Sequence, residues 1–258
     1  YSSEELPMRI IVLFSGGASG ARYLFNKKVL GAKKYKIVGG IADSKTCPGI
    51  KVFKRNNVPV EIIEETKSSR YENEDQNNES SYFTKLADEI DRFKPDLLLL
   101  SGFMRIVKPP LLTKYKRQII NVHPADLRLK EGGNRKYRGT DTVYRSLSEG
   151  EEEIRSTVHL VTEGIDEGPI LVVSEPVQID TKMVKTFEVF DESRIRDYAD
   201  LLQEYMKWAC DGPAIHKALN LIASGKVSIS GRKVYLRQTP DFTPGYYDMK
   251  KSEVVSVN

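Results

Sequence analysis

The sequence predicts an α/β fold with a doubly wound, mostly parallel sheet. Strand-like and helix-like segments alternate over roughly the first 175 residues. Several strand candidates are continuous apolar runs, such as IIVLF and LLLL, which is typical of strands covered by helices on both faces. Such βαβ units favour right-handed crossovers and ligand binding beyond the carboxyl ends of the strands.

The individual elements follow from hydrophobic periodicity and turn residues. Strands are predicted at residues 9–14, 35–41, 58–63, 96–101, 118–122, 156–162 and 170–176. Helices are predicted at 19–28, 82–93, 140–147, 186–209 and 213–224, and a hairpin at 226–236 with Ser230 and Gly231 at its turn. The polar segment 67–81 is expected to form a mobile loop or the approach to a helix, and the tail after Gln238 is expected to be partly irregular.

The length and composition are sufficient for one large domain with a proper core. The chain has 258 residues, of which 40% are hydrophobic. We expect a Rossmann-like domain at residues 1–180 and a C-terminal helical and hairpin extension at 181–258, packed on the same domain. Nothing in the sequence decides between a monomer and a homodimer.

Charge and cysteine content restrict the possible function classes. The net charge of +4 arises from 40 basic and 36 acidic residues, which indicates a mixed surface without a nucleic-acid groove. No apolar run approaches the roughly 20 residues of a membrane span, and the N-terminus lacks a secretory signal pattern. Cys47, Cys210 and three scattered histidines give no metal-ligand spacing, so we expect no metal site and a cytoplasmic location.

A glycine-rich turn (residues 15–20), which we call the glycine turn, follows the first strand in LFSGGASGARYL. Gly16, Gly17 and Gly20 permit tight turning, and the N–H groups of a following helix attract anions. Ser19 could cap that helix or bind a phosphate oxygen. The pattern fits neither the dinucleotide nor the P-loop motif, so a plain strand-to-helix turn and a phosphate site both stay open.

Two polar residues end the strand at 118–122, in the stretch INVHP. Asn121 and His123 point to the same side of the strand because side chains alternate with period two. Pro124 ends the strand and fixes its exit direction. A ligand-binding pair at the sheet edge and a merely structural pair, a capping amide and a core histidine, are both compatible with the pattern.

Two further segments contribute candidate site residues. In HLVTEGIDEGPILV, a short acidic loop carries Asp166 between Gly164 and Gly168, and such an acid is either solvated or functional. In SGFMRIVKPPLL, apolar residues follow the LLLL strand and could line a flat pocket or pack beneath the next helix. These apolar residues are Phe103, Met104, Ile106 and Val107.

Four motifs in this order carry a resemblance to a known family. SGGASG, SGFMRI, NVHP and HLVTEGIDEGPIL resemble the folate-dependent formyltransferases, most closely the phosphoribosylglycinamide (GAR) formyltransferases of purine biosynthesis. The likeness covers residues 9–176, with a fainter echo at 212–227. It implies the Rossmann-like formyltransferase fold, 10-formyltetrahydrofolate as co-substrate, small-molecule substrates and no metal.

The resemblance also implies roles for individual residues. The family's catalytic Asn, His and Asp correspond to Asn121, His123 and Asp166. Asn121 and His123 would donate hydrogen bonds to the formyl oxygen, while Asp166 would hold His123, favour its protonated form and move the amine proton through water. The substrate phosphate would contact Gly16, Gly17, Ala18, Ser19 and Gly20. The folate would contact Met104, Arg105, Ile106, Val107, Val161, Thr162 and Asp166, with Arg105 holding its loop.

The sequence also departs from the family's pattern. Ala18 and Gly20 replace a glycine and an asparagine of the phosphate loop, Asp126 adds a charge after the NVHP motif, and Glu167 replaces a glycine. The family also has an acidic residue in its substrate region, before the penultimate helix. This sequence has no clear match for it, and Asp211 is a candidate at a shifted position. Close relatives have an arginine just before the helix that corresponds to the one starting near Tyr82, and here Glu79 lies near that place instead. Extra residues also occur at 128–137 and 181–209.

These departures leave the acceptor open. The alternatives to GAR are another amine, such as an amino sugar nucleotide or methionyl-tRNA, and water, as in a formyltetrahydrofolate hydrolase. A phosphate-binding module without activity is a further alternative. The joint presence of Asn121, His123 and Asp166 disfavours that last alternative.

Overall fold

The computed structural model describes residues 6–26, 34–65, 76–237 and 240–257, with only the backbone described at 76–80. The chain divides into two compact units. The first comprises Tyr1–Asn121 and Val161–Glu163, and the second comprises Val122–Leu160 and Gly164–Asn258. This partition differs from the predicted boundary at residue 180, and the predicted domain organisation stays a prediction.

The described residues of the first unit include five parallel strands. Their order is β5-β4-β1-β2-β3, and every neighbouring pair is parallel. The strands are β1 (Met8–Phe14), β2 (Tyr35–Ala42), β3 (Val60–Ile62), β4 (Leu97–Leu100) and β5 (Ile119–His123), whose last two residues belong to the second unit. The predicted α/β class with a mostly parallel sheet is therefore confirmed.

Helices pack on both faces of this sheet. The four helices are α1 (Ser19–Leu24), α2 (Gly49–Arg55), α3 (Gln76–Arg92) and α4 (Leu111–Lys114). Two adjacent glycines of β2 lie beneath helices on opposite faces. A Cβ atom added to Gly39 would lie 2.6 Å from Phe93, which follows α3, and a Cβ atom added to Gly40 would lie 2.6 Å from Phe53 of α2. Glycine is needed at these two positions so that helices can approach each face closely.

The second unit is built mainly from antiparallel strands. Its main strand order is β12-β13-β14-β10-β9, with β15 beside β14, and only the β10–β14 pair is parallel among these. Two small ladders, β6–β7 and β8–β11, complete the described strands. The strands are β6 (Lys130–Glu131), β7 (Asn134–Arg135), β8 (Glu153–Ile154), β9 (Thr157–Leu160), β10 (Ile170–Val173), β11 (Val177–Gln178), β12 (Val227–Ser230), β13 (Lys233–Arg237), β14 (Phe242–Asp248) and β15 (Glu253–Ser256).

Helices of the second unit enclose a core of their own. They are α5 (Thr142–Ser148), α6 (Thr181–Phe190), α7 (Ser193–Met206) and α8 (Gly212–Ala223), with a π-helical turn at Lys207–Asp211 before α8. Leu147 of α5, Val184 of α6 and Leu202 of α7 meet in one buried cluster. The apolar stripes of these helices are covered by one another, as their periodicity requires.

Most predicted elements are present, and several boundaries were wrong. The helix predicted at 186–209 is two helices separated at Asp191 and Glu192, and it begins earlier, where the side chain of Asp180 caps α6. Helix α2, helix α4 and the β6–β7 hairpin were not predicted. The Pro-, Gly- and Tyr-rich tail is not irregular, because it forms β14 and β15.

Smaller corrections concern a loop and a turn. Of the predicted loop at 67–81, residues 67–75 lie outside the described residues, whereas 76–81 already belong to α3. The end of the predicted helix 19–28 also lies outside them, and the described helix ends at Leu24. The turn of the β12–β13 hairpin lies at Gly231 and Arg232, one residue later than predicted.

Two further properties concern the described part of the chain. None of its helices combines the length and apolar character that crossing a membrane requires. Cys47 and Cys210 are free and buried, and burial raises the pKa of both thiols, to about 11 for Cys210. Both cysteines therefore stay in the unreactive thiol form at neutral pH.

Candidate active site

Two buried histidines share one carboxylate in the second unit. His123 Nδ1 lies 3.4 Å from Asp166 Oδ2, and His159 Nε2 lies 3.3 Å from Asp166 Oδ1. All three side chains are at most 10% exposed. We call these residues the His–Asp–His cluster. The structure thus brings together His123 and Asp166, which lie on separate motifs, and adds His159, which the sequence did not single out.

Each imidazole of the cluster faces two hydrogen-bond acceptors. His123 Nε2 lies 2.8 Å from the carbonyl oxygen of Tyr137, and His159 Nδ1 lies 2.8 Å from the carbonyl oxygen of Leu160. The second nitrogen of each ring faces Asp166. A neutral imidazole carries one N–H, so it can donate to only one of its two acceptors. When both rings are neutral, the cluster therefore has more acceptors than N–H donors, and the tautomer of each ring decides which acceptor is satisfied.

Burial and charge act in opposite directions on this cluster. Burial lowers the pKa of His123, and the neighbouring Asp166 carboxylate raises it only in part, so the net pKa is lowered. Asp166 therefore favours the protonated form of His123, as expected, but the desolvation of the buried ring outweighs this contribution. Burial alone would raise the pKa of Asp166, yet His159, His123 and the Gly139 N–H together lower it to about 2.

The loop that carries Asp166 is held by the inserted β6–β7 hairpin and the turn after it. Arg135 of β7 donates to the carbonyl oxygen of Asp166 and, over 2.8 Å, to that of Gly168. The Gly139 N–H donates to Asp166 Oδ2 over 2.9 Å. Asp166 has φ of 53°, a left-handed conformation that is unfavourable for a side-chain-bearing residue. These hydrogen bonds offset that cost and fix the carboxylate direction.

Asp126 and Glu167, the two acidic residues that depart from the family's pattern, each form an ion pair with an arginine. Asp126 Oδ2 lies 2.6 Å from Arg128, and Glu167 pairs with Arg138. Asp126 was expected to place a charge near His123, but its carboxylate is paired with Arg128, which also binds Asp248. Its electrostatic effect on the histidine is reduced accordingly.

Asn121 lies on β5, two residues before His123. It is half-buried, and its backbone is in register with Leu100 of β4. The alternation of side chains along a strand directs Asn121 and His123 to the same side of β5. Local strand geometry therefore supports the predicted pairing of these two polar groups.

The glycine turn of the first unit relies on backbone groups. Ala18 is the N-cap of α1 and has φ of 50°, whereas Ser19 is the first helical residue, so its predicted capping role is wrong. The Gly20 N–H donates to Ser101 Oγ over 2.9 Å and is therefore engaged within the protein. Gly16 and Gly17 have no atom within 4 Å of an added Cβ and stand in open space.

A hydrogen-bonded cluster anchors the GFMRI loop of the first unit. Ser15 Oγ donates to Asp43 Oδ2 over 2.5 Å and accepts from the Met104 N–H over 2.8 Å. The Arg105 guanidinium donates to Glu65 over 2.7 Å and lies 4.6 Å from the centre of the Tyr82 ring. This placement supports the predicted loop-holding role of Arg105.

The residues predicted to line the folate slot divide into exposed and buried ones. Met104 is 71% and Ile106 is 50% exposed, so both are available to a ligand. Phe103 and Val107 are instead buried in the core cluster of the first unit with Leu111 of α4, which agrees with the alternative that these residues pack beneath the following helix. Thr162 is exposed, and Val161 packs partly against the same cluster.

Asp211, the shifted candidate for a substrate-binding acid, is a buried structural residue. It is 8% exposed and accepts a hydrogen bond from Ser156 Oγ over 2.5 Å. Burial raises the pKa of Asp211 to about 6. Its placement gives no support to a substrate-binding role.

Comparison with known proteins identifies the family. The formyl transferase family model matches residues 8–192, which is most of the chain. The chain belongs to the formyl transferase family. This membership confirms the resemblance predicted from the four motifs, and the His–Asp–His cluster lies within the matched region.

The relatives of this formyl transferase include two activities. The chain is 37% identical to a phosphoribosylglycinamide formyltransferase of Escherichia coli K12 over 92 residues, which is 36% of this chain and 40% of that protein. It is 26% identical to a formyltetrahydrofolate deformylase of Escherichia coli O6:H1 over 164 residues, 64% of this chain and 52% of that protein. The chain thus spans about half or less of the length of these two curated relatives.

A solved structure matches a larger share of this chain than these two relatives do. Glycinamide ribonucleotide transformylase 1 from Symbiobacterium toebii matches with a TM-score of 0.68 and 25% identity. The match covers 92% of this chain and 99% of that one. The likeness therefore extends well beyond the four motifs.

Sequence reasoning missed two residues that the structure adds to the site. His159 begins the stretch in which Asp166 was found, and its position in a buried strand was an available signal. Arg135 lies in the unpredicted hairpin, and nothing in the local sequence indicates that it reaches the Asp166 loop. Among the described residues, no group of three or more potential ligands could hold a metal ion.

Proposed function

We propose that this formyl transferase transfers the formyl group of 10-formyltetrahydrofolate to the primary amine of glycinamide ribonucleotide. One observation carries the proposal: a buried carboxylate shared by His123 and His159, with Asn121 two residues before His123 on the same strand. Formyl transfer needs hydrogen-bond donors for a developing oxyanion and a base for the amine proton. This set of residues contains both kinds of group.

The proposed reaction has two stages. The amine nitrogen attacks the formyl carbon, and the electrons of its C=O bond move to the oxygen. The side-chain N–H of Asn121 and an N–H of His123 donate to that oxyanion. Asp166 accepts the proton lost by the amine, through water, and the intermediate then collapses, breaking the bond from carbon to N10 of the folate and returning a proton to N10.

His123 must release a protein contact to act as this donor. In the described structure its Nε2 donates to the Tyr137 carbonyl and its Nδ1 faces Asp166. We infer that the formyl oxygen replaces the Tyr137 carbonyl as the acceptor. A developing negative charge is a stronger acceptor than a neutral carbonyl, so this exchange favours the transition state over the free enzyme.

The remaining contacts come from the family resemblance. We propose that the backbone of residues 16–19 binds the substrate phosphate, since the Gly20 N–H is held by Ser101. Met104 and Ile106 supply exposed apolar surface for the pterin, and Arg105 keeps their loop in place. Val161, Thr162 and the backbone around Asp166 complete the proposed folate contacts.

Hydrolysis of formyltetrahydrofolate is the second candidate function. It is favoured by the 26% identity to a formyltetrahydrofolate deformylase over 164 residues. In that reaction water takes the place of the amine, and Asp166 would deprotonate the water. The same residues serve both reactions, so the acceptor alone distinguishes them.

An acceptor assay tests the proposal directly. The purified chain is incubated with 10-formyltetrahydrofolate alone, with glycinamide ribonucleotide, and with other amines, and folate release is followed by absorbance. We expect release that depends on glycinamide ribonucleotide and an equal amount of formylated product. Release without any amine would assign the chain to hydrolysis, and release only with another amine would change the acceptor.

The His123→Ala variant tests the assigned chemistry. We expect kcat to fall on the order of 10²-fold or more, with folate binding and the circular dichroism spectrum retained, because one oxyanion donor is lost. The control is His216→Ala on α8, outside the cluster, which should keep full activity. Full activity in His123→Ala would contradict the mechanism.

A further inference from the structure

The second unit contains a cleft distinct in its lining from the His–Asp–His cluster. Its volume is about 320 Å³, which lies in the range of small-molecule sites. The walls come from the β6–β7 hairpin, the start of β10, the β12–β13 turn and β14. We call it the basic cleft, for the residues described next.

Among the residues that the structure describes, five cationic side chains line the basic cleft and no carboxylate side chain does. They are Arg128, Lys130, Arg135, Arg232 and Lys233. Like charges gathered in a concave surface repel one another and concentrate positive potential there. Such an arrangement is unfavourable without an anion, so it indicates that a ligand of this cleft carries negative charge.

The charges of this lining are only partly compensated inside the protein. Arg128 is paired with Asp126 and Asp248. Arg135 donates to two carbonyl oxygens, which use its N–H groups without neutralising its charge. Within the described part of the chain, Lys130, Arg232 and Lys233 have no carboxylate oxygen within the 4.0 Å of an ion pair.

The rest of the lining is apolar and includes an aromatic ring. Tyr246 contributes its ring, against which the Arg128 guanidinium lies at 5.7 Å. The lining also includes apolar side chains from β10, β13 and β14, namely Ile170, Val234 and Pro244. An inorganic ion would leave this surface in contact with water, whereas an organic ligand would cover it.

We infer that the basic cleft binds a small organic phosphate, with a phosphate monoester group on the Lys and Arg side chains and an aromatic or apolar body against Tyr246. Lysine and arginine both bind phosphate oxygens well, and the arginine fork adds direction. The residues that line the cleft belong to the second unit, whereas the glycine turn belongs to the first. Arg135 links it to catalysis, because the same side chain lines the cleft and holds the Asp166 loop.

Calorimetric titration with phenyl phosphate tests the site. The matched variants are Lys130→Glu/Lys233→Glu in the cleft and Lys182→Glu/Lys185→Glu on α6, which have the same change in net charge. We expect the cleft variant to lose one binding event or to bind at least about 10-fold more weakly, and the α6 variant to bind as the unmodified chain does. Phenol is expected not to bind, and inorganic phosphate to bind at least about 10-fold more weakly than phenyl phosphate.

Several outcomes would overturn the inference. These are no binding of phenyl phosphate, equal binding by the cleft variant, or equal binding of phenol. Tighter binding of benzoate than of phenyl phosphate would overturn the assignment to phosphate. If Lys130→Glu/Lys233→Glu fails to fold, Arg232→Gln in the exposed turn replaces it, with an expected loss of about 3-fold or more in affinity.

Discussion

The two units of this formyl transferase present different kinds of polar group. The glycine turn of the first unit presents mainly backbone groups, such as the Gly20 N–H that donates to Ser101, and its Ser15 hydroxyl donates to the Asp43 carboxylate. The second unit uses buried ionisable side chains, of which the His–Asp–His cluster is the clearest case. A backbone site is specified by a few consecutive residues. A cluster of buried charges requires partners from distant parts of the chain, since an unpaired buried charge is costly.

This difference predicts where substitutions have large effects. In the second unit, each ionisable group sets the protonation and position of the next one, so single changes should alter activity strongly. In the first unit, the side chain at a turn position matters less as long as the backbone conformation is kept. The following four predictions test this contrast, from the largest expected effect to the smallest.

Asp166→Asn should cause the largest loss of activity. The asparagine keeps the size of the side chain but removes the proposed base and the charge shared by His123 and His159. We expect kcat to fall about 10³-fold, within the range of general acid–base catalysis, with little change in the melting temperature. The control is Glu167→Gln, the neighbouring acid, which should retain activity within about 3-fold. A similar loss of activity in both variants would contradict the proposed role of Asp166 in proton transfer.

His159→Asn should shift the pH dependence of activity. The asparagine amide can still donate to the Leu160 carbonyl, but it no longer reaches Asp166 as His159 Nε2 does. The bond with His159 lowers the pKa of Asp166, so its loss should raise that pKa from about 2. The proposed mechanism requires an ionised Asp166, so the acid limb of the kcat profile should move to higher pH, with about a 10-fold loss at neutral pH. A fall in kcat with an unmoved acid limb would indicate a purely structural role.

Arg135→Gln should weaken catalysis through the position of Asp166. The variant loses two donors to the loop on which Asp166 has its unfavourable positive φ. We expect kcat to fall about 10-fold, and Arg135→Lys to recover part of this loss because lysine keeps the charge and one donor. Arg138→Gln, which removes only the pairing with Glu167, is the control and should stay within about 2-fold of the unmodified chain. Equal effects of both arginines would argue against a positioning role for Arg135.

Ala18→Gly should have the smallest effect. Ala18 has φ of 50°, and the left-handed conformation costs an alanine about 1–2 kcal/mol, which glycine avoids at an entropic cost of about 0.5–1 kcal/mol. Ala18 is also buried, so loss of its methyl group costs about 0.8 kcal/mol. The free energy of unfolding should therefore change by less than about 1 kcal/mol, and KM for the phosphorylated substrate should change less than about 2-fold. Ala21→Gly, within α1, should instead lower the unfolding free energy by about 1 kcal/mol or more. Chemical denaturation of both variants decides the sign.

Much of the first unit could be predicted from local sequence. The apolar runs of β1, β2 and β4 predicted parallel strands, and all four motifs lie within the family match. Helix α2 was missed because its seven residues carry only a short apolar pattern. The tail strands β14 and β15 were missed because Pro, Gly and Tyr usually indicate turns, whereas here pairing with β13 and with each other keeps them extended.

The sequence by itself determined the fold class, the family and the adjacency of Asn121 and His123, because apolar periodicity and strand alternation are properties of neighbouring residues. Only the tertiary structure decided that His159 shares Asp166 with His123, that Arg135 holds their loop, and that Asp211 is buried against Ser156. It also decided that His123 has a lowered pKa. These properties depend on burial and on partners far apart in sequence, and the free energy of a charged group is set by the atoms that replace its water.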